Sequence, residues 1–218
     1  MDATPPPIQF TNSGCTGAFD ETELAGLFEE QHALCLPQLL GPAHVQRIQR
    51  QMEKGPWVER THGAIGHELT LADPIALHLL TFLVNRPDFL ERIKRITRKP
   101  GLACFEGRIY RMQPDSGHFD SWHDDIVPGE ERMVGLSINL GEHPYEGGIF
   151  RMRNRNTGEA LAEIPNLIPG DARIFDIRPD LQHMVTPVTG MYAKTAFAGW
   201  FKASGVGFVE RVRGRQPG

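Results

Sequence analysis

A histidine and an aspartate stand two residues apart, His123 and Asp125 in Ser121-Trp122-His123-Asp124-Asp125, and a third candidate ligand, His183, follows in Gln182-His183-Met184-Val185. Two imidazoles and one carboxylate on one face of a metal ion leave positions open on the other, the donor set with which non-haem iron meets oxygen. In a β-strand, residues i and i+2 point to the same side. A strand over Trp122 to Ile126 would therefore let His123 and Asp125 share a metal while turning Asp124 away. The triplet alone is weak, because His118-Phe119-Asp120 repeats the pattern upstream and surface histidines beside carboxylates are common. The same donors also suit a hydrolytic Zn²⁺ with a bound water, although no general base stands at a defined spacing.

Such residues need a scaffold, and 218 residues at 40% hydrophobic content suffice for one compact domain. Residues 1–19, rich in Pro, Gly, Ser and Thr, are expected to be a mobile arm, and residues 20–218 a single domain. Within it, helical support is expected over about 20–100. Asp20 and Glu23 form a capping box for a helix bearing Leu24, Leu27 and Phe28 and stopped before Pro37. Pro42, Pro74 and Pro87 each open a further helix, with apolar faces at Val45, Ile48 and Met52, at Leu77, Leu80 and Leu83, and at Leu90, Ile93 and Ile96. The basic cluster Arg92, Lys94, Arg95, Arg98 and Lys99 suits a helix C-terminus better than a binding patch. His32, His44, His67 and His78 fall in this half and are assigned to structure.

From residue 102 the pattern shifts to short β-branched and apolar runs separated by turn signals such as Pro128-Gly129, Gly147-Gly148 and Pro169-Gly170-Asp171. Strands are expected at Phe105 to Met112, Trp122 to Ile126, Met133 to Leu140, Ile149 to Arg153, Arg173 to Ile177, His183 to Val188 and Lys194 to Lys202. The fold class is thus mainly β with N-terminal helices (α+β), the core over about 102–203 being a jelly roll.

The net charge of −4, without a basic stripe, argues against nucleic acid as a partner. A small-molecule or peptidyl substrate fits better. Cys15, Cys35 and Cys104 form no metal-type pair and suit reduced thiols in a cytoplasmic protein. Neither a signal peptide nor a membrane span is expected, the most apolar stretch, Ile75 to Val84, containing His78 and Thr81.

The order Tyr110, His123-x-Asp125, Gly147-Gly148-Ile149-Phe150, Pro169-Gly170-Asp171, Phe175, His183-x-Val185-x-Pro187, Lys194 and Trp200 resembles the 2-oxoglutarate and Fe(II)-dependent oxygenases, in particular the prolyl-hydroxylase-like branch. The resemblance spans roughly residues 102 to 203. It implies a cupin-like double-stranded β-helix in which His123, Asp125 and His183 bind Fe(II). It further implies 2-oxoglutarate and O2 as cosubstrates, and a dioxygenase that hydroxylates an unactivated carbon while 2-oxoglutarate is decarboxylated to succinate and CO2. Lys194 stands where the family places the cation for the distal carboxylate of 2-oxoglutarate, and Tyr110 matches a tyrosine that hydrogen-bonds the same group.

The sequence departs from the commoner pattern in offering the point charge of Lys194 instead of an arginine fork, and Ala196 where many relatives have a hydroxyl. Asn139 could supply the missing hydrogen bond or simply hold a turn. Trp122, Arg132 and Arg151 are candidate substrate contacts near the metal. The loop from Trp57 to Gly66 is read as a connection or a lid. A halogenase would lack Asp125, whereas desaturation and ring closure remain open. The competing readings are a zinc-dependent hydrolase and a non-catalytic jelly-roll binding module.

Overall fold

The computed structural model describes residues 8–11, 14–17, 20–165 and 167–203. The helical half runs β1 (Gln9–Phe10), β2 (Cys15–Thr16), α1 (Glu21–Gln31), β3 (Ala33–Leu36), α2 (Pro42–Met52), β4 (Trp57–His62), β5 (Gly66–Leu71), α3 (Pro74–Val84) and α4 (Pro87–Thr97). The β half begins with β6 (Cys104–Met112), β7 (Phe119–His123), β8 (Arg132–Asn139), β9 (Glu146–Gly147) and β10 (Phe150–Asn154). It continues with β11 (Ala160–Ile164), β12 (Ala172–Asp176), β13 (Leu181–Val185), β14 (Val188–Thr189) and β15 (Lys194–Lys202).

Four helices form where the capping and proline signals place them. The Asp20 side chain accepts from the amides of Thr22 and Glu23, which satisfies two orphan donors of α1. Prolines preset the first turns of α2, α3 and α4. The basic cluster is used up in local pairs: Arg92 and Arg95 bind Glu21, Arg98 binds Glu29, Lys94 binds Glu91 and Lys99 binds Asp176.

In three places the sequence reading is corrected. Helix α1 does not run on to Pro37; it stops at His32, in the left-handed region at φ 56°, and Ala33–Leu36 joins the sheet beside β12. Tertiary pairing outweighs local propensity there. The Trp57–Gly66 stretch is not a loop but the first strand and turn of a hairpin, β4–β5, that pairs onward to β6 and β7. Part of the expected N-terminal arm is packed, with Ile8 and Phe10 fully buried and Phe10 tilted against Phe89 at 4.8 Å.

Eleven strands make one antiparallel sheet in the order β11-β10-β13-β7-β5-β6-β15-β8-β12-β3, with β4 added at β5. The sheet curls over on itself: Phe175 of β12 touches His183 of β13 at 4.5 Å between ring centres, although several strands separate them in the order. This is the jelly-roll core. Alternation then sorts the side chains. On β8 and β15, Val134, Leu136, Ile138, Phe197 and Phe201 face the helices and join Ile48, Leu80, Phe89 and Ile93 in the main hydrophobic core. Each such buried side chain contributes about 1.5–3 kcal/mol relative to exposure. The opposite faces of the same strands line the barrel interior. Gly135 lies on that inner face because an added Cβ would come within 2.0 Å of the Phe175 ring. Among the described residues no helix is long and apolar enough to cross a membrane.

Candidate active site

His123 and His183 are direct partners across β7 and β13, with ring centres 4.3 Å apart. Asp125 closes the group, its Oδ1 3.3 Å from His123 Nε2 and its Oδ2 3.2 Å from His183 Nε2. One donor atom from each residue lies within 4.8 Å of the others. The route by which Asp125 arrives differs from expectation. Strand β7 ends at His123, and Asp125 occupies the left-handed region at φ 60°, so a backbone turn and not strand alternation brings it beside the histidine. Aspartate is among the few residues that tolerate this conformation, and such strain is a mark of functional sites.

The surroundings fix the orientation of these donors. Ser121 carbonyl accepts from His123 Nδ1 at 2.7 Å, which turns Nε2 toward the centre of the group. Trp200 Nε1 donates to Asp125 Oδ2 at 2.6 Å, and Arg132 lies 3.6 Å above the Trp200 ring while pairing with Asp125 and Glu130. Burial, which would raise the Asp125 carboxyl, is outweighed by hydrogen bonds to both histidines, and its pKa falls well below the usual range. Burial likewise opposes protonation of His123, yet the hydrogen bond to Asp125 and the charge of Asp120 push it up to about 9. A cation belongs among these groups, and the neutral Nε2 donors with one carboxylate suit a divalent metal.

The upstream triplet divides. His118 turns away with His67 and Glu59 into a second compact cluster, whereas Asp120 faces the first, its Oδ1 3.4 Å from His123 Nδ1.

A cavity of about 470 Å³ opens over the triad and is lined at its mouth by Arg60, His62, Ile65, Phe119, Ile126 and Arg132. Of the three candidate substrate contacts only Arg132 reaches it. Trp122 lies one residue from His123 and points the other way, under Arg153 at 4.1 Å, and Arg151 alternates out of the sheet to pair with Glu163 at 2.8 Å. The cavity runs inward past Ala198, Ser137 and Arg173 to Tyr110 and Met112.

At its inner end Tyr110 is buried against Tyr145, Val185 and Ala196. Lys194 is 2% exposed, donates to the Gly148 carbonyl at 2.9 Å and has its Nζ 6.0 Å from the Tyr145 ring centre. Burial, followed by the nearby Arg173 charge, lowers its pKa well below that of an ordinary lysine. Asn139 does not enter the cavity. Its Nδ2 donates to Leu167 carbonyl and its Oδ1 accepts from Gly141 N–H, a turn-holding role. The sequence reading missed Arg173, which appeared only as the start of a strand. The available signal was one charged side chain sharing alternation with Phe175 in a strand where every residue is buried.

Residues 107–202 match the sequence model of the 2OG-Fe(II) oxygenase superfamily. The fold is similar to that of a 2OG-Fe(II) oxygenase family oxidoreductase from Burkholderia pseudomallei, with a TM-score of 0.63 at 15% identity over 85% of this chain and 92% of that one. A prolyl-4-hydroxylase from Pseudomonas putida gives a TM-score of 0.63 at 18% identity over 84% and 98%. A prolyl hydroxylase from Trichoplax adhaerens, in complex with a hypoxia inducible factor peptide, gives 0.62 at 14% over 90% and 93%. No curated protein matches in sequence.

Proposed function

We propose that this chain is a 2OG-Fe(II) oxygenase that holds its Fe(II) through His123, Asp125 and His183 and hydroxylates an unactivated carbon of a small metabolite, an amino acid or a peptidyl residue. Its cofactors are Fe(II) and 2-oxoglutarate. The observation that carries the ligand assignment is the facing of two imidazoles across one sheet register with a carboxylate 3.2–3.3 Å from both. When bound, the iron with 2-oxoglutarate and O2 supplies the oxidising equivalent for C–H hydroxylation, succinate and CO2 being released.

The protein's own part is positioning. Ser121 and Trp200 orient His123 and Asp125. The inner cavity, with Tyr110 on its wall and the buried Lys194 behind it, provides hydrogen bonding and positive charge for the distal carboxylate of 2-oxoglutarate. The outer cavity receives the substrate, where Arg60, His62 and Arg132 meet polar or anionic groups and Ile65, Phe119 and Ile126 cover apolar ones. The Trichoplax adhaerens enzyme is seen with a peptide, and a SnoK carbocyclase of the same fold belongs to nogalamycin biosynthesis, so the fold admits both substrate sizes.

The test is anaerobic addition of Fe(II) and then 2-oxoglutarate to metal-free protein, with the visible charge-transfer band of keto-acid chelation as the readout. The band should form in the wild type and vanish in Asp125→Ala. Bound iron without the band would favour the hydrolase or binding-module readings instead.

A further inference from the structure

The buried interior holds a second cation that the mechanism above leaves unused. Arg173 is 4% exposed, lines the inner cavity, and its Nε has no hydrogen-bond partner among the described residues. Its guanidinium stands 4.4 Å over the Phe150 ring, a contact that offers no hydrogen-bond acceptor of the usual strength. The half-buried Asp120 carboxylate is engaged with His123, and Asp125 is shared between the two histidines and Trp200. A buried guanidinium with an unsatisfied Nε is costly unless an anion is to meet it.

The sheet register locates the place. Trp200, Gly135 and Phe175 share the rung that carries the Asp125 hydrogen bond and the His183 ring contact. One alternate step inward, Ala198, Ser137 and Arg173 share the next rung, and Ala196 with Tyr110 makes the one after. Lys194 follows as the next residue of β15 on that face. Arg173 thus lies between the triad and the Tyr110–Lys194 end, beside a floor kept low by Ala196 and Ala198.

We propose that Arg173 is a second anchor for the distal carboxylate of 2-oxoglutarate, acting together with Lys194. The inference rests on the function proposed above. Lys194 provides a compact charge already donating to Gly148, whereas Arg173 provides a planar fork matched to a carboxylate. In this arrangement the fork takes over the hydrogen bonding that a hydroxyl at the Ala196 position would give.

The experiment titrates anaerobic Fe(II)-loaded protein with 2-oxoglutarate and, separately, with pyruvate, a 2-oxo acid that lacks the distal carboxylate. The charge-transfer band reports binding, and thermal melting is recorded without cosubstrate. In Arg173→Met, which keeps an apolar stem over Phe150, 2-oxoglutarate binding should weaken about tenfold or more, pyruvate binding should hold, and the ligand-free melting temperature should not fall. Arg173→Lys should recover part of the 2-oxoglutarate affinity. Unchanged 2-oxoglutarate affinity in Arg173→Met overturns the assignment, as does equal weakening of both acids, which would give Arg173 a structural role. A wild type that chelates neither acid overturns the proposed function along with it.

Discussion

Two clusters of like composition sit on adjoining parts of the sheet, His123 with Asp125 and His183, and His118 with His67 and Glu59. Each gathers two imidazoles and one carboxylate within 4.8 Å, and each takes one histidine from a His-x-Asp triplet. The backbone around the rings separates them. At His123 the Ser121 carbonyl accepts from Nδ1, and Nε2 is turned toward the Asp125 carboxylate 3.3 Å away. At His118 Nδ1 accepts from the Gln113 amide at 2.9 Å, so Nε2 carries the proton and donates to Glu59 at 3.3 Å. In the function proposed above the first ring goes to the metal, whereas the second gives its hydrogen bond to Glu59. Exposure follows the same division, since the Asp125 side chain is 9% exposed and that of Glu59 61%. Two clusters of one composition thus differ in which ring nitrogen the backbone engages as a donor and which as an acceptor.

The contrast is broken most directly by deletion. Asp125→Ala or His183→Ala should abolish both stoichiometric Fe(II) binding and 2-oxoglutarate conversion to succinate, and His67→Ala should preserve both in the same anaerobic titration and succinate assay. Next in size, Trp200→Phe removes the donor to Asp125 while keeping a ring beneath Arg132. Iron affinity should drop about 10–100-fold, measured by competition with a chelator; an unchanged affinity would remove Trp200 from the positioning of Asp125.

A pH effect sharpens the inner end of the site. Burial and the Arg173 charge depress the Lys194 pKa, and Asp120 opposes them. The free lysine therefore loses its proton earlier than an ordinary one as pH rises, and a bound carboxylate draws that proton back. Affinity for 2-oxoglutarate should fall with rising pH, by up to about tenfold per unit above the depressed pKa. Calorimetry in buffers of different ionisation heat should register proton uptake on binding. The smallest effect belongs to the second cluster. His118→Phe strands the Gln113 amide and should cost about 1–3 kcal/mol in denaturant unfolding without altering iron affinity.

The helical half was legible because its signals are local: Asp20 caps α1 and the prolines open α2, α3 and α4 at the residues that carry them. The strands β6, β8, β12 and β15 were legible from apolar and β-branched runs between turn signals, with alternation visible in β8. Strand β3 and the β4–β5 hairpin were not, since Ala33–Leu36 and the exposed Trp57–His62 become strands only by pairing with residues far along the chain. Trp122 and Arg151 leave the cavity by alternation, Trp122 as the neighbour of His123 and Arg151 as the neighbour of Met152, the partner of His183 across β10 and β13.

The chain's own order of residues determined the chemistry on offer: two imidazoles, a carboxylate and a lysine at the spacings of one family, on strands whose alternation is written in their side chains. Tertiary structure decided which triplet faces the cavity, how a left-handed Asp125 joins His123, and that Arg173 is enclosed with no hydrogen-bond partner at its Nε among the described residues. The physical reason is range. Capping, alternation and turn chemistry act over a few residues, whereas tautomer, burial and charge pairing are set by atoms brought together from distant strands.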